Sequence, residues 1–133
     1  MESSNYPAPF PELTSSTFFN VYDNSRWNLS VRLKPSNYPI TELVSGSDTY
    51  TYDVIFKGSH SILGTVFDSF EVSSSISFAS GSNFLRSPKR MYVGARRTNL
   101  TGAVVNPCDV LIGSARYWTK YLENGALQQH SND

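Results

Sequence analysis

The stretch that most constrains the fold is residues 27–34, in which apolar and polar residues alternate strictly. Because successive side chains of a β-strand point to opposite faces, this alternation predicts a strand with one apolar and one polar face. Pro35 follows and lacks a backbone donor, so it marks the end of the strand. We therefore expect a second layer of structure to cover the odd-numbered side chains, which are Trp27, Leu29, Val31 and Leu33.

Similar short patterns recur along the chain, separated by turn residues. Strands are predicted at residues 17–21, 50–57, 61–67, 70–78, 90–96 and 109–117, with a tight turn at Gly58, Ser59 and His60 and a loop over residues 79–83. Residues 120–130 are the one segment predicted to be a helix. Short strands without alternating helices favour an all-β, antiparallel two-sheet sandwich, and a barrel stays open as the alternative.

The 133 residues fit one domain with room for a two-layer core. Residues 1–16 contain Pro7, Pro9 and Pro11 in a polar run, which is typical of an extended arm. Residues 17–133 are predicted to form the sandwich domain. The first residues lack the positive start and apolar core of a signal peptide, and the single Cys108 is expected to be a partly buried thiol.

Charge and hydropathy limit the classes of partner that we expect this chain to bind. The 11 Lys and Arg balance the 11 Asp and Glu, which argues against a nucleic-acid binder that neutralises many phosphates. No apolar run reaches the roughly 18 residues that a membrane helix needs, so we expect no membrane insertion. Other protein chains, including further copies of this one, remain open as partners.

No catalytic constellation stands out. His60 and His130 have no metal-binding spacing, and no pair of carboxylates is two residues apart within a predicted strand, as a glycosidase on one strand would need. We therefore expect no enzyme activity. Asp48, Asp68 and Asp109 lie near predicted turns or strand ends, where an Asp serves either the turn itself or a calcium ion. Calcium is the one cofactor that the sequence leaves open.

Aromatic residues make up 14% of the chain, and most must belong to the core. Tyr38, Tyr117, Trp118 and Tyr121 fall outside the inward-facing sets or at their ends, and Arg116 accompanies them. Such rings stack on the faces of sugars, with an Arg beside them as hydrogen-bond donor, so these five residues are the candidate ligand-binding set. The alternative is that the last three aromatic residues pack the C-terminal segment onto the domain.

A resemblance supports this interpretation. The segments Met-Tyr-Val-Gly-Ala from 91, Asn-Leu-Thr-Gly from 99, Asp-Val-Leu-Ile from 109 and Arg-Tyr-Trp from 116 follow one another in the order seen at the end of laminin-G-like, concanavalin-A-like lectin domains. Residues 27–35, which end in Lys-Pro, resemble an early core strand of that family. The resemblance covers residues 17–133 and implies a jelly-roll sandwich with one short C-terminal helix.

Members of that family are binding modules of adhesins, extracellular proteins and viral or phage structural proteins. The resemblance implies a non-catalytic recognition or adhesion module, with a glycan as ligand, within a larger virion or cell-surface protein. The alternative is a structural or assembly module that makes only protein–protein contacts. Either would place the chain on a virion or an extracellular surface.

Overall fold

A computed structural model describes residues 11–19, 21, 25–40, 50–88, 90–98 and 101–131. Three strands, β1 (Trp27–Pro35), β2 (Tyr52–Ile62) and β3 (Thr65–Ile76), form one antiparallel sheet in the order β1-β2-β3. Helix α1 (Phe78–Arg86) follows, then the two-residue strands β4 (Arg96–Arg97) and β5 (Val104–Val105), which pair with each other, and helix α2 (Asn124–Ser131). The predicted antiparallel, mostly β character is confirmed.

Strands β2 and β3 form a long hairpin whose turn lies at Leu63 and Gly64, both with positive φ angles of 49° and 81°. A two-residue turn of this kind matches the right-handed twist of the strands it joins. The turn predicted at residues 58–60 is wrong, because β2 continues to Ile62. Gly58 lies inside β2, opposite Phe70 of β3. A Cβ at this position would overlap the Phe70 ring, so the glycine leaves space for that ring.

The sheet has two faces, and the register defines them. Face A contains the row Val31, Phe56 and Val72, and face B contains the row Arg32, Ile55 and Ser73. One end of face A forms the core, with Tyr52, Val54 and Ile76 buried beneath partly buried apolar side chains: Leu13, Leu33 and Tyr50. At the other end Phe18 packs on Trp27 and Phe70, with ring centroids 5.1 and 5.6 Å away.

The expected burial of the odd-numbered face of β1 holds only at its ends. Leu29 and Val31 are 62% and 67% exposed, whereas Arg32 on the opposite face is only 7% exposed. The reason is that β1 is an edge strand and that no described residue covers the middle of face A beside it. On face B, Arg32 donates a hydrogen bond to the Leu122 carbonyl oxygen. The predicted polar side of this strand therefore carries the buried side chain of Arg32.

Helix α1 corrects the prediction of a strand ending at residue 78 and a loop over 79–83. Its start is capped by Ser77, whose Oγ accepts a hydrogen bond from the Ser80 backbone N–H at 3.2 Å. Gly81 is buried directly against the ring of Tyr52, and the ring of Phe78 lies 5.0 Å from that of Tyr50. The described residues thus form two short helices rather than one, and α1 covers the core end of face A.

Residues 106–120 are all exposed and form no helix or strand. The strands predicted at 90–96 and 109–117 are therefore wrong, apart from Arg96 in β4, and residues 17–19 are likewise not in a strand. A strand needs a continuous ladder of backbone hydrogen bonds with a neighbour, whereas these two segments are joined only by the bond from Cys108 N–H to the Gly94 carbonyl oxygen at 2.6 Å among the bonds of the described residues. Cys108 is exposed rather than partly buried. Leu13, within the predicted arm of residues 1–16, packs on the core.

Candidate functional site

The five predicted ligand-binding residues separate into two groups. Tyr38 and Tyr121 meet on face B of the sheet, where their rings are 5.0 Å apart in an edge-on arrangement. Arg116 and Trp118 lie instead beside the C-terminal end of α2, where both contact His130. We call the first group, with Arg32, Lys34 and Glu71, the sheet-side cluster. The second group, with Tyr117 and His130, is the helix-side cluster.

Arg32 is the centre of the sheet-side cluster. Its Nη1 donates to the Leu122 carbonyl oxygen at 3.0 Å and to the Tyr121 hydroxyl at 3.3 Å, and its Nη2 donates to Glu71 at 3.2 Å. Its guanidinium also lies 5.4 Å from the centre of the Tyr121 ring, and Lys34 Nζ lies 5.6 Å from it. Arg32 thus fastens the segment before α2 to the sheet, and the Tyr121 ring is enclosed by its neighbours.

Glu71 completes this cluster from β3. Its Oε2 accepts hydrogen bonds from Arg32 and, at 3.1 Å, from Lys57 on the neighbouring strand. Partial burial raises the pKa of Glu71, but the hydrogen bond and charge of Lys57, a hydrogen bond from Asn124 and the charge of Arg32 outweigh it. The pKa of Glu71 therefore lies below its ordinary value, and the carboxylate stays ionised as counter-ion to a buried cation.

The sequence analysis missed Arg32 as a structural residue, since its position in the alternation assigned it to the wet face. Lys57 and Glu71 carry opposite charges and lie directly opposite each other on β2 and β3. Their pairing fixes the anion that Arg32 needs. Tyr38 and Tyr121 come together here as packing residues, which agrees with the alternative that the last aromatic residues pack the C-terminal segment onto the domain.

The helix-side cluster faces solvent. Tyr117 is 83% exposed, and Trp118 is 36% exposed with its ring 5.3 Å from that of His130. Arg116 Nη1 donates to the His130 carbonyl oxygen at 3.1 Å, which places a cation at the C-terminal end of α2, where the helix dipole is negative. One ring, that of Trp118, and the Arg116 guanidinium thus lie beside one helix end, and the exposed Tyr117 lies between them in sequence.

A shallow cavity of about 380 Å³ opens beside the same helix end. Its polar lining comes from three elements: Arg26 before β1, Ser61 of β2 and Ser131, the last residue of α2. Leu63 and Gly64 of the hairpin turn complete the wall. The lining offers one cationic donor and two hydroxyl groups, a combination that suits a ligand rich in hydroxyl groups. Sequence reasoning missed this cavity because its residues are far apart in the chain.

The three calcium candidates do not gather in the described part of the chain. Asp48 lies outside the described residues, Asp109 is exposed, and the Asp68 carboxylate lies 3.9 Å from His60 Nδ1. No three His, Cys, Asp or Glu side chains among the described residues are arranged to hold a metal ion. Calcium binding stays a prediction.

Comparisons with protein-family models, with curated proteins and with solved structures give no significant match. Within the described ranges, neither helix has the length and apolar character needed to cross a bilayer.

Proposed function

We propose that this chain is a non-catalytic recognition module that binds carbohydrate, as part of a larger virion or cell-surface protein. The observation that carries the proposal is the helix-side cluster, in which exposed aromatic rings and a cation lie beside a polar cavity at one end of α2. The laminin-G-like resemblance supplies the class of protein and the location.

The rings suit a sugar because carbohydrate C–H faces pack on aromatic surfaces. Tyr117 offers an open ring, and Trp118 offers an indole held in place by His130. Tyr38 and Tyr121 are less suited to this role, since their rings pack on each other and Arg32 and Lys34 lie over the Tyr121 ring. We therefore assign carbohydrate binding to the other three residues of the predicted set, which are Arg116, Tyr117 and Trp118.

The cavity suits the hydroxyl groups of the same ligand. Arg26 donates, while Ser61 and Ser131 both donate and accept, so each can pair with a sugar hydroxyl without burying an unpaired group. The depression is shallow and open to solvent, so a sugar bound there would keep part of its surface in water.

A glycan array probed with the whole chain tests the proposal. We expect the wild type to bind a restricted set of sugars, and Tyr117→Ala and Trp118→Ala to weaken that binding by about tenfold, which corresponds to the loss of one stacked ring. Phe19→Ala is the matched control, because Phe19 is 90% exposed and lies outside the cluster. Arrays with calcium and with chelator show whether the candidate aspartates contribute.

Two results would refute carbohydrate binding at this site. One is the absence of binding to any glycan by folded wild-type protein. The other is binding that Phe19→Ala weakens as much as the two cluster substitutions do, because the rings of the cluster would then have no particular role.

A structural or assembly module that makes only protein contacts is the second candidate. The observation in its favour is the number of apolar side chains exposed outside the cluster, such as Leu29, Val31 and Leu111, of which the last is fully exposed. Patches of this kind commonly mark contacts with other chains. Stable self-association together with a blank glycan array would favour this candidate over the first.

For the fold, we propose that the sheet of β1, β2 and β3 is one layer of a concanavalin-A-like jelly-roll sandwich. The support is that the described residues cover face A mainly at its two ends and leave the apolar side chains of Leu29 and Val31 exposed between them. Backbone NMR assignment of the whole chain would test this by counting strands. A sandwich requires a second sheet of comparable size, and its absence would reject the jelly roll.

A further inference from the structure

The outer edge of β1 has an unusual combination of features for an exposed strand edge. Its nine residues pair with β2 without any register shift, and among the described residues no strand pairs with its other side. Proteins commonly protect such edges with a bulge, a proline inside the strand or a short strand. In β1 the proline is only the last residue, and Leu29 and Val31 at its middle are more than 60% exposed.

The hydrogen-bond phase identifies which backbone groups are free to pair. Ser36 N–H donates to the Thr51 carbonyl at 2.9 Å, so the even-numbered residues of β1 direct their backbone groups towards β2. The odd-numbered residues therefore direct theirs to the outer edge. Pro35 fits this phase, because the donor that it lacks would have pointed outward.

We infer that β1 pairs antiparallel with β1 of a second copy of this chain, about a two-fold axis at Val31, to give one continuous six-stranded sheet. In this register Val31 lies opposite Val31 of the second copy, and Leu29 lies opposite Leu33 of the second copy. The outward-directed backbone N–H and C=O groups of one copy then face those of the second copy. This allows about six backbone hydrogen bonds across residues 29–33.

Side-chain chemistry selects this register. On face A every pair is apolar, and on face B Arg32 lies opposite Ser30 of the second copy while Lys34 lies opposite Asn28 of the second copy. No two like charges face each other, which avoids a repulsion that directly opposed charges would cause. A shift of the axis by one residue, to Ser30, would place Lys34 opposite Arg26 of the second copy. The zero net charge also leaves no long-range repulsion between copies.

This contact is independent of the proposed carbohydrate site, because it uses the edge of β1 rather than the C-terminal end of α2. It also differs from a second layer over face A, since edge pairing extends a sheet sideways. The two proposals can therefore fail separately.

Sedimentation equilibrium on the whole chain, with a variant at the two-fold axis, tests the pairing. We expect the wild type to show a concentration-dependent dimer, and Val31→Lys to raise its dissociation constant at least about tenfold by opposing two lysines across the axis. Val66→Lys is the matched control, because Val66 is also exposed in a strand but lies on β3. A monomeric wild type, or a Val31→Lys variant that dimerises like the control, would overturn the inference.

Cross-linking supplies a second readout that needs no repulsion. In a background of Cys108→Ser, Val31→Cys should form a disulfide-linked dimer on mild oxidation, because hydrogen-bonded antiparallel pairs place Cα atoms about 5.5 Å apart, within disulfide range. Val66→Cys in the same background should remain largely unlinked. Equal cross-linking at both positions, or none at Val31, would show that β1 does not lie on the axis.

Discussion

Arg32 is a buried cation, and its contribution to stability depends on the anion that it contacts. Its side chain is only 5% exposed, and its partners are the Glu71 carboxylate, the Leu122 carbonyl and the Tyr121 hydroxyl. A buried cation that loses its anion keeps its desolvation cost, so the loss of Glu71 should affect stability more than its own exposed position suggests.

We predict that Glu71→Gln lowers the free energy of unfolding by about 1–2 kcal/mol at pH 7. This is less than the 3–5 kcal/mol typical of a fully buried pair, because Glu71 is 42% exposed and water screens its charge. Urea unfolding measures the difference. Glu12→Gln is the control, since Glu12 is exposed. Equal stability of both variants would mean that Arg32 does not depend on Glu71.

The same pair has a definite pH dependence. Because the folded state lowers the pKa of Glu71 below its ordinary value of 4.5, its ionised form contributes stability above that pH and loses it as the pH falls through the folded value. We therefore expect the stability difference between wild type and Glu71→Gln to be present at pH 6 and to shrink towards pH 3. A constant difference over that range would contradict the assigned ion pair.

At the scale of elements, helix α1 depends on close approach to the sheet rather than on its sequence alone. Gly81 is the one buried residue of the helix, and it lies against the ring of Tyr52. Alanine normally favours a helix over glycine by about 0.5–1 kcal/mol, but here a Cβ would overlap that ring. The packing contact and the helix propensity therefore oppose each other at this position.

We predict that Gly81→Ala destabilises the fold by about 1–3 kcal/mol, as overpacking of a close contact does. Gly125→Ala is the matched change in α2, where a Cβ would have nothing within 4 Å, and we expect it to be neutral or to stabilise by up to about 1 kcal/mol. Urea midpoints of both variants test the pair of expectations. A stabilising Gly81→Ala would show that α1 does not pack on Tyr52.

In the molecule as a whole, buried contacts are concentrated in some segments and scarce in others. The sheet and α1 enclose the core, whereas residues 106–120 are exposed throughout and make few contacts, such as those of Arg116 and Trp118 with His130. Segments with few buried contacts open easily and are cut first by proteases.

Limited digestion with trypsin should therefore cleave after Arg116 and Lys120 before it cleaves after Arg32 or Lys57. The first two residues lie in the exposed segment, and the last two lie within paired strands. Mass spectrometry of early time points identifies the order of cleavage. Early cuts in β1 or β2, with residues 106–120 intact, would contradict the described arrangement.

Some features of the fold could be predicted because they depend on neighbours in sequence. The alternation of residues 27–34 specified a strand, and β1 occupies almost the same residues. The C-terminal helix was predicted at 120–130, and α2 covers the later part of that range, from Asn124 to Ser131. Helix α1 was missed because its serines and glycine resemble a loop, although the Ser77 cap was a readable signal.

The candidate site was predicted in part. Arg116, Tyr117 and Trp118 are adjacent in sequence and stay together beside His130, whereas Tyr38 and Tyr121 meet each other on the sheet. The cavity walls come from residues as distant as Arg26 and Ser131, and their proximity depends on the docking of α2. No local pattern carries that information.

The alternation of residues 27–34 is enough to specify strand β1 and its two faces, and the short strands separated by turns indicate an antiparallel sheet. Which face is covered follows from packing between segments that are distant in sequence. Alternation distinguishes two sides of a strand, but burial depends on what packs against each side. Here the segment before α2 lies over the polar side, and the contacts of Tyr121 and Leu122 help to bury Arg32 while Leu29 and Val31 remain exposed.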